Sequence, residues 1–119
     1  MNDAPRYSGS CQCGAVHFDV EVDIAHTKTC NCSRCARLGW IMAFTPAAKF
    51  HLKSGERNLS EYKFNREVIR HLFCSTCGIE SFARAAMPDG TEMVAVNVRC
   101  LDGVDLDGLV PQKVDGRSR

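Results

Sequence analysis

The chain has 119 residues, a length that fits one domain with one modest hydrophobic core. Its hydrophobic content is 45% and its formal charge is +1, with acidic and basic residues interspersed, so it lacks the basic patch typical of nucleic-acid-binding proteins. No apolar run approaches the roughly 18 residues that span a bilayer, and the first residues lack the apolar core of a signal peptide. We therefore expect a cytoplasmic protein without a nucleic-acid or membrane partner.

The predicted secondary structure is a series of short strands separated by turns. Apolar and polar residues alternate from Val16 to Val22, which predicts a strand with one buried face. Residues 32–38 contain no helix breaker before Gly39 and allow one or two helical turns. Further strands are predicted at residues 40–44, 50–53, 59–64, 68–73, 79–85 and 92–98. This pattern is typical of a mostly-β domain of short antiparallel strands with little helix.

The chain is predicted to form a single domain, residues 8–110, between two short flanking segments. Residues 1–7 are predicted to be an N-terminal arm. Beyond Cys100 the sequence is rich in Asp and Gly and has little apolar periodicity, and it ends in the basic segment Arg117-Ser118-Arg119. Residues 111–119 are therefore predicted to be a flexible C-terminal tail.

Cysteine is the most informative residue type in the sequence, with eight in the chain. Because no export signal accompanies them, this density indicates metal or thiol chemistry more than a disulfide framework. Seven of the eight fall into three groups. The eighth, Cys100, is predicted to be a small core residue.

The two outer groups have the spacing of a structural metal site. Cys74 and Cys77 are separated by two residues and followed by glycine, like one half of a zinc ribbon, and Cys11 and Cys13 repeat this form with one residue fewer. Together the two pairs offer four thiolates, which close the coordination sphere of one zinc ion. The alternatives are unligated buried thiols or a disulfide.

The middle group places three cysteines, Cys30, Cys32 and Cys35, within six residues. Such close neighbours cannot form unstrained disulfides with one another, whereas a metal can use all three. Three protein ligands and an open fourth position are typical of a catalytic zinc, and the spacing favours this interpretation. In the alternative, a fourth ligand closes a second structural site, for which the candidates are His26, His71 and Cys100.

The chemistry that suits three thiolate ligands is the handling of an external thiol. A zinc ion with three thiolates carries a net charge of −1 and should be a weaker Lewis acid towards water than a zinc held by three histidines. A thiol that enters the fourth position would lose its proton well below its free pKa of about 8.5. The middle group therefore favours thiol activation over hydrolysis.

Three motifs carry a resemblance to a known family: GSCQCGAV at residues 9–16, CNCSRC at residues 30–35 and FCSTCG at residues 73–78. Further residues fall where the family pattern expects them, namely Phe44, Pro46, Phe50, Gly55, Tyr62, Val96 and Asn97. Over about residues 8–102 the chain resembles the glutathione-dependent formaldehyde-activating enzyme (GFA) family, also called the CENP-V/GFA domain.

The resemblance implies a β-tent fold, a mostly-β arrangement around zinc, and two zinc ions per chain. The structural zinc would be held by the outer cysteines, namely Cys11, Cys13, Cys74 and Cys77. The catalytic zinc would be held by the middle cysteines, with glutathione or water as the fourth ligand; these catalytic residues are Cys30, Cys32 and Cys35.

The activity that the resemblance implies is that of a carbon–sulfur lyase, in which formaldehyde and glutathione condense to S-hydroxymethylglutathione. The expected partners are thus glutathione or a similar thiol and formaldehyde or another small aldehyde. The alternative is a non-catalytic, zinc-stabilised module that binds a thiol or a protein. Trp40 and Phe44 are expected in the core, and no substrate role is assigned to Arg34 or Arg37.

Overall fold

The computed structural model describes residues 5–64 and 68–118. These residues form ten strands: β1 Arg6–Ser10, β2 His17–Glu21, β3 Lys28–Cys30, β4 Met42–Pro46, β5 Phe50–Ser54, β6 Leu59–Tyr62, β7 Ile69–Cys74, β8 Phe82–Ala86, β9 Glu92–Asn97 and β10 Gln112–Val114. The α-helix, α1, spans Ser33–Leu38. Short 3₁₀ turns occupy Ile24–His26, Ala47–Lys49, Glu56–Asn58, Val98–Cys100 and Leu106–Gly108. The prediction of a mostly-β domain with little helix is confirmed.

The strands form two sheets. The smaller sheet has the order β1-β2-β5, and the larger has the order β10-β3-β4-β9-β8-β7-β6. All pairings are antiparallel except that of β10 with β3, which is parallel. The larger sheet therefore carries β3 and β7, which end in Cys30 and Cys74, two of the predicted metal ligands.

The main hydrophobic core lies between the two sheets. Phe18 of β2 stacks on Phe50 of β5 with ring centroids 5.0 Å apart, and Phe50 lies 4.5 Å from Phe82 of β8. Phe18 and Val20 are fully buried, as the predicted alternation in β2 requires. Complete burial of such a side chain stabilises the fold by about 1.5–3 kcal/mol.

A second, smaller cluster lies on the opposite face of the larger sheet. Phe82 and Val94 face the main core, so their neighbours Ala83 and Ala95 face the other way. Ala83 packs there with Trp40, Met42 and Cys35. The cysteines of the middle group therefore belong to this second cluster and not to the main core.

The strand predicted at residues 40–44 lies two residues later in the structure, as β4 at Met42–Pro46. Because alternate residues face opposite sides of a sheet, Ala43 and Thr45 enter the core while Phe44 lies on the other face. Phe44 is 45% exposed, and the Lys28 ammonium group lies 5.5 Å from its ring centroid. The expectation of a core role for Phe44 is therefore wrong, whereas Trp40 is buried as expected.

The structure places part of both predicted flanking segments in strands. Residues 6 and 7 of the predicted arm belong to β1, while residues 1–4 lie outside the described part of the chain. In the predicted tail, residues 112–114 form β10 beside β3, and Arg119 lies outside the described residues. None of the helices in residues 5–64 and 68–118 is long and apolar enough to cross a membrane.

Candidate metal centres

The two outer cysteine pairs come together in space. The four sulfur atoms of Cys11, Cys13, Cys74 and Cys77 all lie within 4.8 Å of one another. The sulfur of Cys13 lies 3.7 Å from that of Cys11 and 3.6 Å from that of Cys74. Four sulfurs around a tetrahedral zinc at about 2.3 Å are about 3.8 Å apart, so this cluster fits a closed zinc site.

Two tight turns present these sulfurs. Gly14 and Gly78, which follow the two pairs, have φ values of 84° and 80°, in the left-handed region that glycine adopts without strain. The Gly78 N–H donates to the Cys74 carbonyl, which closes the second turn. This arrangement joins the turn after β1 to the end of β7, two segments that are some 60 residues apart in sequence.

Hydrogen-bond donors surround the four-cysteine group. The backbone N–H of Val16 donates to the Cys11 sulfur at 3.3 Å, and the Asn58 side-chain amide donates to the Cys74 sulfur at 3.4 Å. Partial desolvation opposes ionisation of Cys77, but the backbone N–H groups of Cys13 and Ile79 outweigh it and lower the Cys77 pKa to about 6. These hydrogen-bond donors stabilise the thiolate form of the cysteines at this site.

The middle group forms a second cluster, in which the sulfurs of Cys30, Cys32 and Cys35 lie within 4.8 Å of one another. Cys30 ends β3, Cys32 is the N-cap of α1 and Cys35 lies in its first turn. The Cys35 N–H donates to the Cys32 sulfur at 3.3 Å, so the hydrogen bond that caps the helix also orients the sulfur of a candidate metal ligand. The predicted helical turns are confirmed, and they end at Gly39, which has a φ of 71°.

The environments of the three sulfurs differ. Burial raises the pKa of Cys35 to about 12, against the opposing effect of the Trp40 indole N–H, which donates to its sulfur at 3.2 Å. Burial also acts to raise the pKa of Cys32, but hydrogen bonds from the backbone N–H groups of Cys35 and Arg34 outweigh burial, so the Cys32 pKa is lowered. Three thiolates suit zinc, because it accepts sulfur ligands in a tetrahedral arrangement and leaves one position for a further ligand.

None of the candidates for a fourth ligand joins the three-cysteine cluster among residues 5–64 and 68–118. The His26 side chain is 83% exposed and faces Asp23. His71 is buried and is hydrogen-bonded to Glu80, and Cys100 packs against the main core. The described part of the chain therefore offers this site three ligands.

A buried ionic network, which the sequence did not predict, lies next to the three-cysteine cluster. Glu80 is 1% exposed, yet its Oε1 accepts from Arg34 Nη2 at 2.6 Å and from Arg34 Nε at 3.2 Å. Its Oε2 lies 2.8 Å from His71 Nδ1. The His71 ring lies 6.3 Å from the Trp40 ring, and Trp40 in turn contacts Cys35. The sequence signal for the network was weak: Glu80 stands near the start of the strand predicted at residues 79–85, which in the structure begins only at Phe82.

The fold and the two clusters define a class of protein: a mostly-β domain with one four-cysteine and one three-cysteine site, both suited to zinc. The chain belongs to the GFA family, because its sequence matches the family model described as glutathione-dependent formaldehyde-activating enzyme over residues 6–114. The resemblance found from the three cysteine motifs is confirmed. The match also includes β1 and β10, which lie in the predicted flanking segments.

Two similar proteins place the chain among known sequences and structures. A Schizosaccharomyces pombe protein named an uncharacterized lyase is 26% identical over 105 residues, which cover 85% of this chain and 72% of the yeast protein. A crystal structure of a Rhodobacter sphaeroides protein is similar with a TM-score of 0.78 and 36% sequence identity. That similarity covers 88% of this chain and 98% of the bacterial chain.

Proposed function

We propose that the protein is a zinc-dependent carbon–sulfur lyase that makes or cleaves the adduct between a thiol, such as glutathione, and formaldehyde or another small aldehyde. The observation that carries this proposal is the pair of unequal cysteine clusters. One cluster offers four sulfurs and would be closed by its own ligands, whereas the other offers three. Membership of the GFA family and the lyase name of the yeast relative support the same reaction class.

In this proposal the outer cysteines hold a structural zinc and Cys30, Cys32 and Cys35 hold the catalytic zinc. When bound, zinc at the three-cysteine site would favour the ionised form of a substrate thiol and fix its position. The Cys32 N–H donates to the Cys30 sulfur, the Cys35 N–H to the Cys32 sulfur and the Trp40 indole N–H to the Cys35 sulfur, so each protein sulfur is oriented by a hydrogen bond. These contacts keep the ligands in place, so that little rearrangement is needed when a substrate arrives.

The reaction itself is a simple addition. The substrate thiol gives up its proton, its sulfur forms a bond to the carbonyl carbon of the aldehyde, and the carbonyl oxygen takes up a proton. In the reverse direction the hydroxyl proton is removed and the carbon–sulfur bond breaks, which returns the thiol and the aldehyde. Free thiolate sites of this kind persist in a reducing compartment, which is consistent with a cytoplasmic location.

The test combines metal analysis with a thiol titration of the metal-loaded protein. We expect two zinc ions per chain, a change in coordination at one of them when glutathione is added, and accelerated consumption of formaldehyde with glutathione. One zinc per chain, or two without a response to any thiol, would contradict the proposal. Thiol binding without accelerated consumption would instead identify a non-catalytic thiol-binding module.

Two cysteine variants sharpen this test. Cys32→Ser removes one sulfur ligand, but serine is a good N-cap, so α1 should persist. We expect this variant to lose turnover and one zinc ion while keeping the other. Cys100→Ser is the matched control, because Cys100 is also partly buried but belongs to neither cluster. Equal turnover in the two variants would show that Cys32 has no catalytic part.

A further inference from the structure

The C-terminal segment lies directly against the three-cysteine site. Strand β10 runs parallel to β3, with Val114 opposite Cys30, so the chain leaves the sheet beside the metal ligands. Beyond it, Gly116 packs on Cys30 and Cys32. A Cβ atom at Gly116 would overlap the Cys30 sulfur and would lie 3.3 Å from the Cys32 Cβ. Glycine is therefore the residue that fits between the chain and the cluster at this point.

Asn31, the residue between the first two cysteines, holds this segment by three hydrogen bonds. Its backbone N–H donates to the Val114 carbonyl at 3.2 Å. Its side-chain Nδ2 donates to Asp115 Oδ1 at 3.0 Å, and its Oδ1 accepts from the Arg117 N–H at 2.9 Å. The side-chain amide of Asn31 is thus hydrogen-bonded to the residues on both sides of Gly116, Asp115 and Arg117.

We propose that residues 114–117 form a wall of the three-cysteine site, and that Asn31 and Gly116 position the Cys30 sulfur and limit the size of the thiol that can bind there. The positioning role depends only on a metal at this site. The limit on thiol size rests on the proposed function, because it assumes that a substrate thiol is the fourth ligand.

Metal binding should reveal the positioning role of Gly116 because coordination prevents rotation of the Cys30 side chain. In the metal-free protein the sulfur can rotate away from an added methyl group at Gly116. In the metal-bound protein the sulfur is fixed by coordination, so the overlap cannot be relieved in this way. Gly116→Ala should therefore destabilise the metal-bound state much more than the metal-free state.

The first experiment measures the affinity of each site for Co²⁺ by competition with a chelator, using the cobalt–thiolate absorption of the full chain. We expect Gly116→Ala to weaken the three-cysteine site about tenfold to hundredfold and to leave the four-cysteine site unchanged. The matched control is Gly108→Ala, whose added Cβ would meet Asp105 Oδ2 at 3.3 Å and no cysteine. If Gly116→Ala and Gly108→Ala bound Co²⁺ with equal affinity at the three-cysteine site, the proposal would be overturned.

A pair of asparagine variants tests the hydrogen bonds between Asn31 and the C-terminal segment. Asn31→Ala should weaken the three-cysteine site, whereas Asn58→Ala, which removes a donor to the Cys74 sulfur, should weaken the four-cysteine site. Thermal unfolding of the metal-free proteins is measured alongside. The role of Asn31 would be overturned if Asn31→Ala kept the metal affinity of the wild type. It would also be overturned if metal affinity fell equally at both sites, since that would indicate general damage to the fold.

The limit on thiol size is tested with 2-mercaptoethanol and glutathione on the metal-loaded proteins. We expect Gly116→Ala to lose affinity for glutathione at least several-fold more than for 2-mercaptoethanol. An equal loss for both thiols would overturn the limit on size. If the wild-type site binds metal but neither thiol, the proposed lyase function fails, and the metal affinities of Gly116→Ala and Gly108→Ala still decide the positioning role.

Discussion

Arg34 and Glu80 join the segments of the two cysteine clusters through an ion pair in which the carboxylate is buried and the guanidinium is partly buried. Arg34 lies between two cysteines of the middle group, and Glu80 lies three residues after Cys77 of the four-cysteine group. The guanidinium group donates twice to one carboxylate oxygen, at 2.6 and 3.2 Å, while the other oxygen is held by His71. The carboxylate therefore connects α1 to the turn that carries Cys74 and Cys77 of the four-cysteine group.

This connection predicts the behaviour of Glu80→Gln. The substitution keeps the volume of the side chain but leaves the partly buried Arg34 guanidinium, whose side chain is 23% exposed, facing a neutral amide. Breaking a fully buried pair by changing one partner costs roughly 3–5 kcal/mol and breaking an exposed pair about 0–1 kcal/mol, so this partly buried pair should cost roughly 1–3 kcal/mol. We expect the free energy of unfolding to fall by about that amount, and the three-cysteine site to bind metal more weakly because Arg34 is no longer fixed. Chemical denaturation and metal competition measure the two effects.

The control for Glu80→Gln is Glu61→Gln in β6. Glu61 also pairs with an arginine, Arg70, but both side chains are at least one third exposed. Exposed pairs are worth about 0–1 kcal/mol, so this variant should unfold nearly like the wild type. If Glu80→Gln were no more harmful than Glu61→Gln, the partly buried pair would not be what holds α1.

Trp40 supplies a second prediction, because its indole N–H is a donor to the Cys35 sulfur. Trp40→Phe keeps an aromatic ring in the small cluster but removes this hydrogen bond. A hydrogen bond to a charged group is worth about 1.5–3 kcal/mol. We therefore expect metal affinity at the three-cysteine site to fall about tenfold or more, with the four-cysteine site unchanged. A uniform loss at both sites would instead indicate a general packing defect.

The cysteine clusters were predictable from the sequence because the cysteines within each group are close together along the chain and their spacing is typical of metal sites. Cys30, Cys32 and Cys35 fall on one strand end and one helical turn, so local geometry alone brings them together. The four-cysteine group needed an additional argument, namely that two half-sites of similar form should pair. Both arguments depend on the chemistry of cysteine and need no knowledge of the tertiary fold.

The residues that support the three-cysteine site were not predictable in the same way, because their partners are distant in sequence. Glu80 meets Arg34 across 46 positions, and Asn31 meets Asp115 across 84. An asparagine or a charged residue has many possible partners, so its type does not indicate which one it contacts. The strand β10 was missed for a related reason: three residues paired to a neighbouring strand give almost no periodicity to detect.

The stability of the protein should depend on pH through the carboxyl group of Asp19. The Ser8 hydroxyl, followed by the Arg6 guanidinium and the Lys53 ammonium groups, lowers the pKa of this carboxyl below its ordinary value of 3.8. The carboxylate therefore stabilises the pairing of β1 with β2 at neutral pH, and this contribution disappears as the pH falls below 3.8 and through the lowered pKa. Asp19→Asn should unfold at a lower temperature than the wild type near pH 7.

The diagnostic quantity for Asp19→Asn is the difference between the two unfolding temperatures at each pH. Acid also releases metal from thiolate sites, but it does so in both proteins, so the difference isolates the carboxylate. We expect this difference to shrink as the pH is lowered past 3.8. A difference that stays constant down to pH 2 would show that Asp19 acts through its shape and not its charge.

Removal of the two metals should have unequal consequences, because the two clusters close loops of very different length. The ligands of the three-cysteine site lie within six residues, whereas the four-cysteine site joins the turn after β1 to the end of β7. Structural zinc contributes roughly 10–16 kcal/mol in small zinc-dependent peptides, which is comparable with the roughly 5–15 kcal/mol that stabilise a whole domain. Loss of the four-cysteine metal should therefore unfold much of the larger sheet.

The variants that separate these effects are Cys74→Ser and Cys32→Ser. We expect Cys74→Ser to lose cooperative thermal unfolding and to fail to hold metal at either site, since Glu80 and its contact to Arg34 depend on the turn that Cys74 begins. Cys32→Ser should unfold cooperatively, within about 2 kcal/mol of a wild-type protein that holds only the structural metal, because the serine still caps α1. Heating curves and metal content measure both. If Cys32→Ser were as damaging as Cys74→Ser, the three-cysteine site would be a structural site as well.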